Sequence, residues 1–388
     1  MSGAARWEFA TATRILFGRG TAAEAAAIVA GLGRRALVVS GSTPTRAEWL
    51  VNALDSMGLE PRLIYVEGEP TVAFAADAAA FARRMSADVV VAIGGGSALD
   101  TGKAIAALAT NTDDVFDYLE VVGRGVPLSA TPLPFVAIPT TAGTGAEVTK
   151  NAVLAVPDRR VKVSLRSPLM LPRVAIVDPA LTRTLPPAAT AFTGLDALTQ
   201  NIEPFLSWRA TPLTDALCRD GIGRVARSLR RAWADGEDLD AREDMAVASL
   251  CGGLALANAG LGAVHGLAGP IGGMFNAPHG AVCAALLPHV CRVNLRALEA
   301  RAPEHHARAR AAEVARLLTG RAHATMAHGV AWLGEMVQTL GVPTLAQWGV
   351  TPTDLPALVN QAIRSSSMAA NPVALEPDEL TEILSSAL

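Results

Sequence analysis

The stretch Asp88–Lys103 reads DVVVAIGGGSALDTGK, and it predicts the fold of the first half of the chain. Its first six residues are mostly apolar and rich in β-branched side chains, which is typical of a parallel strand buried on both faces. Gly94–Gly96 follow, and a helix is predicted to begin directly after them. Glycines let a phosphate approach the backbone, and a helix N-terminus offers unpaired N–H groups and a positive dipole end. Three glycines exceed what a strand-to-helix turn requires. We therefore interpret them as a pyrophosphate-binding loop, although the run differs from the dinucleotide fingerprint G-x-G-x-x-G.

Strands and helices alternate on both sides of this stretch. Further strands are predicted at Ala36–Ser40, Arg62–Val66, Phe135–Pro139, Val161–Leu165 and Val174–Val177. Helices are predicted at Thr21–Gly33, Thr45–Gly58 and Thr71–Ser86. This order at this spacing predicts a parallel sheet with crossover helices. Before it, Trp7–Gly20 (WEFATATRILFGRG) is compatible with an edge hairpin.

The strand pattern ends near Asp178, and Leu185-Pro186-Pro187 marks a boundary. From there the pattern is helical almost throughout, with helices predicted at Ala188–Ser207, Pro212–Asp235, Leu239–Ala268, Ala307–Leu318, Ala322–Leu340 and from Pro377 onward. The sequence thus predicts an α/β N-terminal domain with a parallel sheet over residues 1–185. An all-helical C-terminal domain is predicted over residues 186–388.

The composition limits the class of protein. The chain has 388 residues, 51% of them hydrophobic, and a net charge of −3, which does not favour a nucleic-acid partner. No apolar run approaches the roughly 20 residues of a membrane span, and the N-terminus lacks the apolar core of a signal peptide. The four cysteines form no C-x-x-C pair and are interpreted as reduced, mostly buried thiols. We expect a cytoplasmic protein with no membrane partner.

The positive charge is almost entirely arginine. Lysine occurs only at Lys103, Lys150 and Lys162, all in or beside the motifs of the first half. Lysine provides a compact point charge where a guanidinium fork does not fit. Chance retention on a solvated face is the alternative, and the sequence leaves it open.

A second glycine-rich segment, Pro139–Lys150, reads PTTAGTGAEVTK and leaves a predicted buried strand at its carboxyl end. Open α/β sheets bind their ligands at that end of the strands. Threonine hydroxyls and a glycine-rich backbone suit a polar cofactor. A solvated threonine-glycine loop without a ligand is the alternative.

The stretch Asn258–His289 reads NAGLGAVHGLAGPIGGMFNAPHGAVCAALLPH and holds three of the seven histidines among small and apolar residues. A buried imidazole needs a partner, which is either a backbone carbonyl or a metal ion bound by His265 and His279. Asp196 and Gln200 are four residues apart and share one face of a predicted helix. Together, Asp196 and the two histidines supply three ligands and leave an open position, which is typical of a catalytic metal site.

Four motifs in this order and spacing resemble the iron-containing (group III) alcohol dehydrogenase family, including its members of the maleylacetate reductase type. They are GGGSALDTGKA, PTTAGTGAEVT, GLDALTQ and LGAVHGLAGPIGGMFNAPHG. The resemblance implies a dehydroquinate synthase-like architecture, with NAD or NADP in the cleft between the two domains. It also implies a divalent metal, iron or zinc, beside the nicotinamide, and a homodimer.

The resemblance carries over residue by residue. The residues that match its pyrophosphate loop are Gly95, Gly96, Ser97 and Asp100. Those that match its nicotinamide and ribose segment are Thr140, Thr141, Thr144 and Thr149, and Lys162 matches a lysine near the cofactor. Asp196, His265 and His279 match three of four metal ligands and are the catalytic candidates. Gln200 replaces the fourth ligand, a histidine, and is itself a candidate ligand through its carbonyl. Gly269 replaces a histidine near the substrate.

The predicted activity is hydride transfer between a nicotinamide cofactor and a small alcohol, aldehyde or keto-acid, assisted by metal. The segment Ser40–Thr43 contains no acid, so the 2′-phosphate of NADP would meet no repulsion, and we expect use of NADP beside NAD. Two alternatives stay open at this point. One is a reductase of the maleylacetate type with weak or no metal dependence. The other is a non-redox protein that binds the nucleotide as a structural or regulatory ligand.

Overall fold

The computed structural model of the chain describes residues 6–43 and 45–388. They form two compact units, an α/β unit over Thr11–Thr184 and a helical unit over Leu185–Leu388 with residues 6–10. The predicted first domain included residues 6–10, and the structure differs there. The reason is a pair of hydrogen bonds: the Ala10 N–H donates to Asn258 Oδ1 (2.7 Å), and Asn258 Nδ2 donates to the Ala10 carbonyl (3.0 Å).

The α/β unit is built on a six-stranded parallel sheet in the order β1-β8-β5-β4-β2-β3. Its strands are β1 Arg14–Phe17, β2 Ala36–Ser40, β3 Arg62–Tyr65, β4 Val89–Gly94, β5 Phe135–Pro139 and β8 Val174–Val177. Every residue of β2, β4, β5 and β8 is buried, in accord with their continuous apolar runs. The prediction of a parallel α/β sheet followed by a helical domain is confirmed.

The hairpin expected at the N-terminus was wrong, and the strand predicted at Val161–Leu165 is confirmed but lies in a second sheet. The N-terminal segment forms no hairpin in the described residues: Arg14–Phe17 is a single edge strand that pairs in parallel with Val174–Val177. Val161–Arg166 (β7) is outside the main sheet and pairs antiparallel with Asn151–Val156 (β6), which the sequence did not single out as a strand. The alternating burial along β6 is typical of a strand with one buried face.

Helices connect the strands. They are α1 Ala25–Ala30, α2 Thr45–Ser56, α3 Val72–Arg84, α4 Gly96–Thr110 and α5 Val115–Tyr118. Ten of the fifteen residues of α4 are buried, so this helix packs as a core element on the sheet. Its first residue is the third glycine of the glycine run, which places that run at the carboxyl end of a central strand.

The helical unit contains nine longer helices within the described residues. They are α6 Pro187–Leu206, α7 Pro212–Ala234, α8 Leu239–Ala259, α9 Ala263–Phe275, α10 His279–Arg301, α11 Ala307–Thr319, α12 Met326–Thr339, α13 Leu355–Ala362 and α14 Pro377–Ser386. The prediction of one helix over Leu239–Ala268 was wrong, since α8 and α9 meet at a 99° bend. Gly260 makes the break with φ +75°, and an added Cβ there would lie 2.9 Å from Ala370 Cβ.

Helix α10 was not predicted, although it holds the second candidate ligand histidine. It is long and apolar enough to cross a membrane by length and composition, with a mean hydropathy of 1.3. However, 78% of that window is buried inside the protein, as expected for the core helix of a bundle. Pro288 lies within it. A proline inside a helix removes one backbone hydrogen bond, and this weakened the helical prediction.

Candidate nucleotide-binding loops and metal centre

The two glycine-rich segments are in contact within the α/β unit. They follow the neighbouring strands β4 and β5, where Gly94 pairs with Pro139, and the Thr140 N–H donates to the Gly94 carbonyl at 2.9 Å. A Cβ added at Gly95 would lie 3.2 Å from Thr141 Cγ2, and one at Gly96 would lie 2.8 Å from Thr144 Cγ2. The glycines are therefore needed for the contact between these two loops, as well as for any approach of a ligand.

The N-terminus of α4 is open to a ligand. Its N-cap is Gly95, and no side chain of the described residues caps it. Gly95, Gly96 and Ser97 are each half-buried. Unpaired N–H groups at the start of a fifteen-residue helix attract an anion such as a pyrophosphate.

Two of the predicted cofactor-binding residues, Asp100 and Thr149, are hydrogen-bonded within the protein through Lys103. Asp100 Oδ1 lies 2.9 Å from Lys103 Nζ, and Asp100 Oδ2 accepts the Val153 N–H at 2.9 Å. Lys103 Nζ also donates to Thr149 Oγ1 at 2.9 Å and to the Asn151 carbonyl. Both Asp100 oxygens and the Thr149 hydroxyl are thus engaged by the protein itself. Their role in cofactor binding stays a prediction.

Lys162 lies on the antiparallel ribbon, and its side chain is only 6% exposed. Its Nζ is 2.9 Å from Glu69 Oε1. Glu69 also lines a cavity of about 310 Å³ together with Tyr65, Glu67 and Phe74. Lys162 itself does not line this cavity, and its contact with a cofactor stays a prediction.

Glu147, in the second glycine-rich segment, gives the α/β unit a predicted pH dependence. It is 2% exposed, and burial raises its pKa to about 7 against the opposing charge of Lys103. A carboxyl whose folded pKa is raised stabilises the fold below its unfolded pKa, and this contribution is lost as the pH rises through the folded pKa. We expect the free energy of unfolding to fall by roughly 3 kcal/mol more between pH 4 and pH 8 in the wild type than in Glu147→Gln. Urea unfolding at several pH values measures this, and parallel profiles would contradict it.

The candidate metal centre lies in the helical unit and draws on three helices. Asp196 comes from α6, His265 from α9, and His279 is the first residue of α10, with Cys283 one turn later. One candidate ligand atom from each of the four lies within 4.8 Å of all the others. The aspartate carboxylate is the centre of the group, since Asp196 Oδ1 is 3.5 Å from His265 Nε2 and 3.8 Å from His279 Nε2.

The hydrogen bonding of this cluster is incomplete in a way that fits a cation. Asp196 Oδ1, His265 Nε2 and Gln200 Oε1 are buried, and none has a hydrogen-bond partner within residues 6–43 and 45–388. The separations of 3.5 and 3.8 Å between the carboxylate and the imidazoles are too long for hydrogen bonds. Burying such atoms unpaired costs about 1–3 kcal/mol each. A divalent ion between the carboxylate and the imidazoles satisfies the first two of them.

The charges in the cluster also favour a cation. Burial alone would raise the pKa of Asp196, but the neighbouring His279 and His265 lower it overall, so the carboxylate is ionised at neutral pH. Burial would lower the pKa of His265, but its neighbours Cys283, Glu203 and Asp196 raise it well above its usual value. The surroundings therefore stabilise positive charge between these side chains.

Glu203 orients His265. Its Oε2 is 2.7 Å from His265 Nδ1, and its Oε1 accepts the Val264 N–H at 2.7 Å. A carboxylate only accepts hydrogen bonds, so Nδ1 carries a proton. In the neutral ring, which is the form that binds a metal, Nε2 then has the lone pair, and this atom is on the side of Asp196. Metal-binding histidines commonly have such a carboxylate on their other nitrogen. The sequence analysis did not identify Glu203. Its position seven residues after Asp196, on the same helix face, is the signal that it missed.

Replacing Glu203 by glutamine is expected to weaken divalent-metal affinity by about 10–100-fold. The amide oxygen can still accept the hydrogen bond from the Val264 N–H, but the amide nitrogen then donates to His265 Nδ1. This moves the ring proton to Nε2 and blocks the ligand atom. Competition with a chelator of known zinc affinity measures the change. The exposed Glu299→Gln is the control, and equal affinities in both variants would contradict the role of Glu203.

Gln200 lies next to the cluster, and its amide nitrogen supports the Asp196 carboxylate. Gln200 Nε2 donates to Asp196 Oδ2 at 3.0 Å. Since the ionised carboxylate has no proton to give, the amide nitrogen must face it, and the amide oxygen points elsewhere. The predicted role of Gln200 as a metal ligand remains a prediction.

Cys283 was missed as a candidate ligand, since all four cysteines were interpreted as reduced, mostly buried thiols. The signal was its spacing of four residues from His279 at the start of a helix. Gly269 has open space in place of the family's histidine: a Cβ added there would have no neighbour within 4 Å among the described residues.

Comparison with known proteins assigns the family. Residues 12–179 match the model for "Iron-containing alcohol dehydrogenase", and residues 190–388 match the C-terminal model of the "Fe-containing alcohol dehydrogenase family". The chain is 40% identical over 314 residues to 1,3-propanediol dehydrogenase of Klebsiella pneumoniae, covering 79% of this chain and 78% of that protein.

Solved structures agree with this assignment. A crystal structure of 1,3-propanediol oxidoreductase has a TM-score of 0.91 at 34% identity, covering 99% of this chain and all of the other. Sulfoacetaldehyde reductase of Bifidobacterium kashiwanohense, solved in complex with NAD+, has a TM-score of 0.85 at 28% identity, with 99% of each chain covered. The chain therefore belongs to the iron-containing alcohol dehydrogenase family and is a nicotinamide-dependent oxidoreductase of alcohols and carbonyl compounds.

Proposed function

We propose that this enzyme oxidises a small alcohol reversibly, with its nucleotide bound by the α/β unit and a divalent metal bound by Asp196, His265 and His279. The observation that carries the proposal is the buried cluster of these three side chains, in which Asp196 Oδ1 and His265 Nε2 have no hydrogen-bond partner among the described residues. In this proposal the α/β unit, residues 11–184, is the nucleotide-binding domain. The helical unit, residues 185–388 with residues 6–10, is the metal and substrate domain.

For the nucleotide, the proposal gives separate roles to the two loops. The N-terminal turn of α4, with Gly95, Gly96 and Ser97, holds the pyrophosphate through backbone N–H groups. The hydroxyls of Thr140, Thr141 and Thr144 bind the ribose and the nicotinamide amide. The packing of Thr141 and Thr144 on the glycines supports this division, because it fixes both loops at the carboxyl ends of adjacent strands.

Use of both NAD and NADP is part of the proposal. A Cβ added at Gly94 would lie 3.3 Å from the Gly41 backbone nitrogen, so the segment after β2 is adjacent to the phosphate-binding run. Ser42 and Thr43 in that segment are exposed and uncharged. Nothing in Ser40–Thr43 repels a 2′-phosphate, and Ser42→Asp is the substitution that should shift preference toward NAD. Steady-state kcat/KM for both cofactors measures it, and a strong preference of the wild type for NAD would contradict dual use.

The residues of the helical unit have defined tasks in the reaction. When bound, a divalent metal supplies a Lewis acid that favours the alkoxide form of the alcohol. Glu203 keeps the proton of His265 on Nδ1, and Asp196 supplies the negative charge of the site. A bound oxidised nicotinamide would supply the acceptor for the hydride that leaves the carbinol carbon as the C=O bond forms. With Gly269 in place of a histidine, the hydroxyl proton leaves through water instead of a side chain at that position.

A small uncharged alcohol or aldehyde is favoured over the dicarboxylate of a maleylacetate-type reductase. A dicarboxylate needs cationic anchors. In the helical unit the buried Arg242 donates to Thr190 Oγ1 (2.8 Å), and Arg310 is held by Asp215 (2.7 Å between Nη2 and Oδ2). These guanidinium groups are already engaged by the protein. The relative that acts on 1,3-propanediol indicates short alcohols as the first substrates to assay.

Metal content and activity test the proposal together. Purified protein is analysed for its elements, then assayed with ethanol, 1,3-propanediol, their aldehydes and maleylacetate, before and after chelation. We expect one zinc or iron per chain, activity lost on chelation and restored by the metal. Activity that survives complete metal removal would contradict the metal role and favour the maleylacetate-type alternative. Binding of NAD(P)H without hydride transfer to any carbonyl would contradict the redox function.

A homodimer in the cytoplasm completes the proposal, on the basis of the family resemblance. Sedimentation velocity at micromolar concentration measures the assembly. A single species of 40.1 kDa would contradict the dimer.

A further inference from the structure

Cys283 occupies a position in the cluster that no predicted role explains. It is fully buried on α10, one turn after His279. Its Sγ lies 3.6 Å from His279 Nε2, and it belongs to the group of four side chains whose candidate ligand atoms lie within 4.8 Å of one another. The buried and unpartnered Asp196 Oδ1 and His265 Nε2 belong to the same group. The thiol is therefore part of a built cluster and is not an isolated cysteine.

The spacing of the four atoms is close to that of one coordination sphere. Ligand atoms bound to a tetrahedral zinc ion, with bonds of about 2.1 Å to nitrogen or oxygen and 2.3 Å to sulfur, are about 3.4–3.6 Å apart. The carboxylate oxygen is 3.5 and 3.8 Å from the two imidazole nitrogens, and the sulfur is 3.6 Å from one of them. The other three separations are within 4.8 Å, so the four atoms are near enough to one another to surround one ion.

The alternative fourth ligand is less well placed. The amide nitrogen of Gln200 donates to Asp196 Oδ2, so the amide oxygen of Gln200 points away from that carboxylate oxygen. A neutral amide oxygen is also a weaker donor than a thiolate for zinc or iron.

We propose that Cys283 binds the divalent metal as a thiolate and is the fourth protein ligand, in the place that the family gives to the residue at position 200. This inference rests on the proposed metal role of Asp196, His265 and His279. On binding, the sulfur–metal bond forms and the thiol proton is released to solvent. The carboxylate and the thiolate then balance the charge of the ion, and the soft sulfur shifts the preference of the site toward zinc over iron. The four side chains would then hold the ion, and a substrate oxygen would have to bind it as a further ligand.

Cobalt(II) is the probe that tests this ligand directly. Metal-free enzyme is titrated with Co²⁺, and a thiolate-to-cobalt charge-transfer band in the near ultraviolet is recorded. We expect the band in the wild type and in Gln200→Ala. We expect its loss in Cys283→Ser and Cys283→Ala, with zinc affinity weakened by at least about 10–100-fold. Cys251→Ser, which removes a buried thiol from α8, is the matched control and should keep the band.

A second measurement needs no variant and covers the case in which the cysteine variants fail to fold. X-ray absorption fine structure of the zinc-loaded wild type should show one sulfur at about 2.3 Å among nitrogen and oxygen ligands at about 2.0–2.1 Å. Stoichiometric metal with only nitrogen and oxygen neighbours, or a band that survives Cys283→Ala, overturns the thiolate ligand and leaves the proposed function intact. Failure of the wild type to bind zinc or cobalt overturns both.

Discussion

Asp196→Asn is expected to abolish tight binding of the divalent metal and to lower kcat by at least about 10³-fold. The carboxylate oxygen Oδ1 is 3.5 Å from His265 Nε2 and 3.8 Å from His279 Nε2, so it lies close to both candidate imidazole ligands. The amide keeps the shape of the side chain but removes its charge. Lewis-acid stabilisation of an alkoxide is worth several kcal/mol, and about 4 kcal/mol corresponds to a thousandfold in rate. Elemental analysis and steady-state kinetics on the same preparation measure both effects.

The design separates loss of the metal from loss of the fold. NADH affinity, measured by fluorescence, should stay within about twofold of the wild type, because the loops that are proposed to bind the nucleotide belong to the α/β unit. Asp220→Asn removes an exposed carboxylate that pairs with Arg224 and should change neither metal content nor turnover. Full turnover with one metal per chain in Asp196→Asn would contradict the metal role of the cluster. In that case, His265 and His279 would be hydrogen-bond donors to the substrate oxygen.

Local sequence signals predicted the parallel sheet because the strands that form it are continuous buried runs. Val89–Gly94 and Phe135–Pro139 pair side by side with no exposed residue. A strand of this kind is apolar on both faces, and few other structures have that pattern over so short a length. The glycine run and the threonine segment could be predicted for the same reason, because each directly follows a strand of this kind.

The errors occurred where distant contacts decide the local structure. The break between α8 and α9 depends on Gly260, whose conformation is fitted to Ala370 from another part of the chain. The edge strand Arg14–Phe17 forms because Val174–Val177 offers it a parallel partner 160 residues away. Neither partner is visible in the local pattern, and tertiary context overrides local propensity in both cases.

In the candidate metal centre, too, local motifs could be predicted from the sequence and distant contacts could not. Asp196, His265 and His279 were identified from motifs, and the structure brings them together from three helices. Glu203 and Cys283 were not identified, since a glutamate on a buried helix face and a cysteine in an apolar helix have ordinary structural roles. What distinguishes them is distance: 2.7 Å from Glu203 Oε2 to His265 Nδ1, and 3.6 Å from Cys283 Sγ to His279 Nε2.

The scarcity of lysine had two interpretations, and the structure favours the functional one at two of the three positions. Lys103 is buried and the side chain of Lys162 is only 6% exposed, and each forms an ion pair, with Asp100 and Glu69 respectively. A lysine retained by chance in an arginine-rich chain is expected on a solvated face. The side chain of Lys103 is instead 0% exposed, which makes it the strongest case for a point charge that arginine cannot replace.

Lys103→Met is expected to lower the free energy of unfolding of the α/β unit by about 3–5 kcal/mol, which is the usual cost of leaving one member of a buried ion pair without its partner. Lys103 Nζ forms an ion pair with Asp100 Oδ1 and also donates hydrogen bonds to Thr149 Oγ1 and the Asn151 carbonyl. It thereby connects α4 to the segment that carries the second loop. Methionine fills much of the same volume, so the loss is mainly electrostatic and not a cavity effect. Urea unfolding at pH 7, followed by circular dichroism, measures it.

Lys103→Arg tests the reason for lysine and not only the need for charge. The planar guanidinium is larger and directs its donors in a fork, whereas the three acceptors around Nζ are arranged about a single point. We therefore expect the arginine variant to recover less than half of the stability lost by the methionine variant, although it restores the charge. Lys150→Arg at a half-buried position is the control and should stay within about 0.5 kcal/mol of the wild type. Wild-type stability in Lys103→Arg would show that any cation suffices, and the retention of lysine would then have no structural cause at this site.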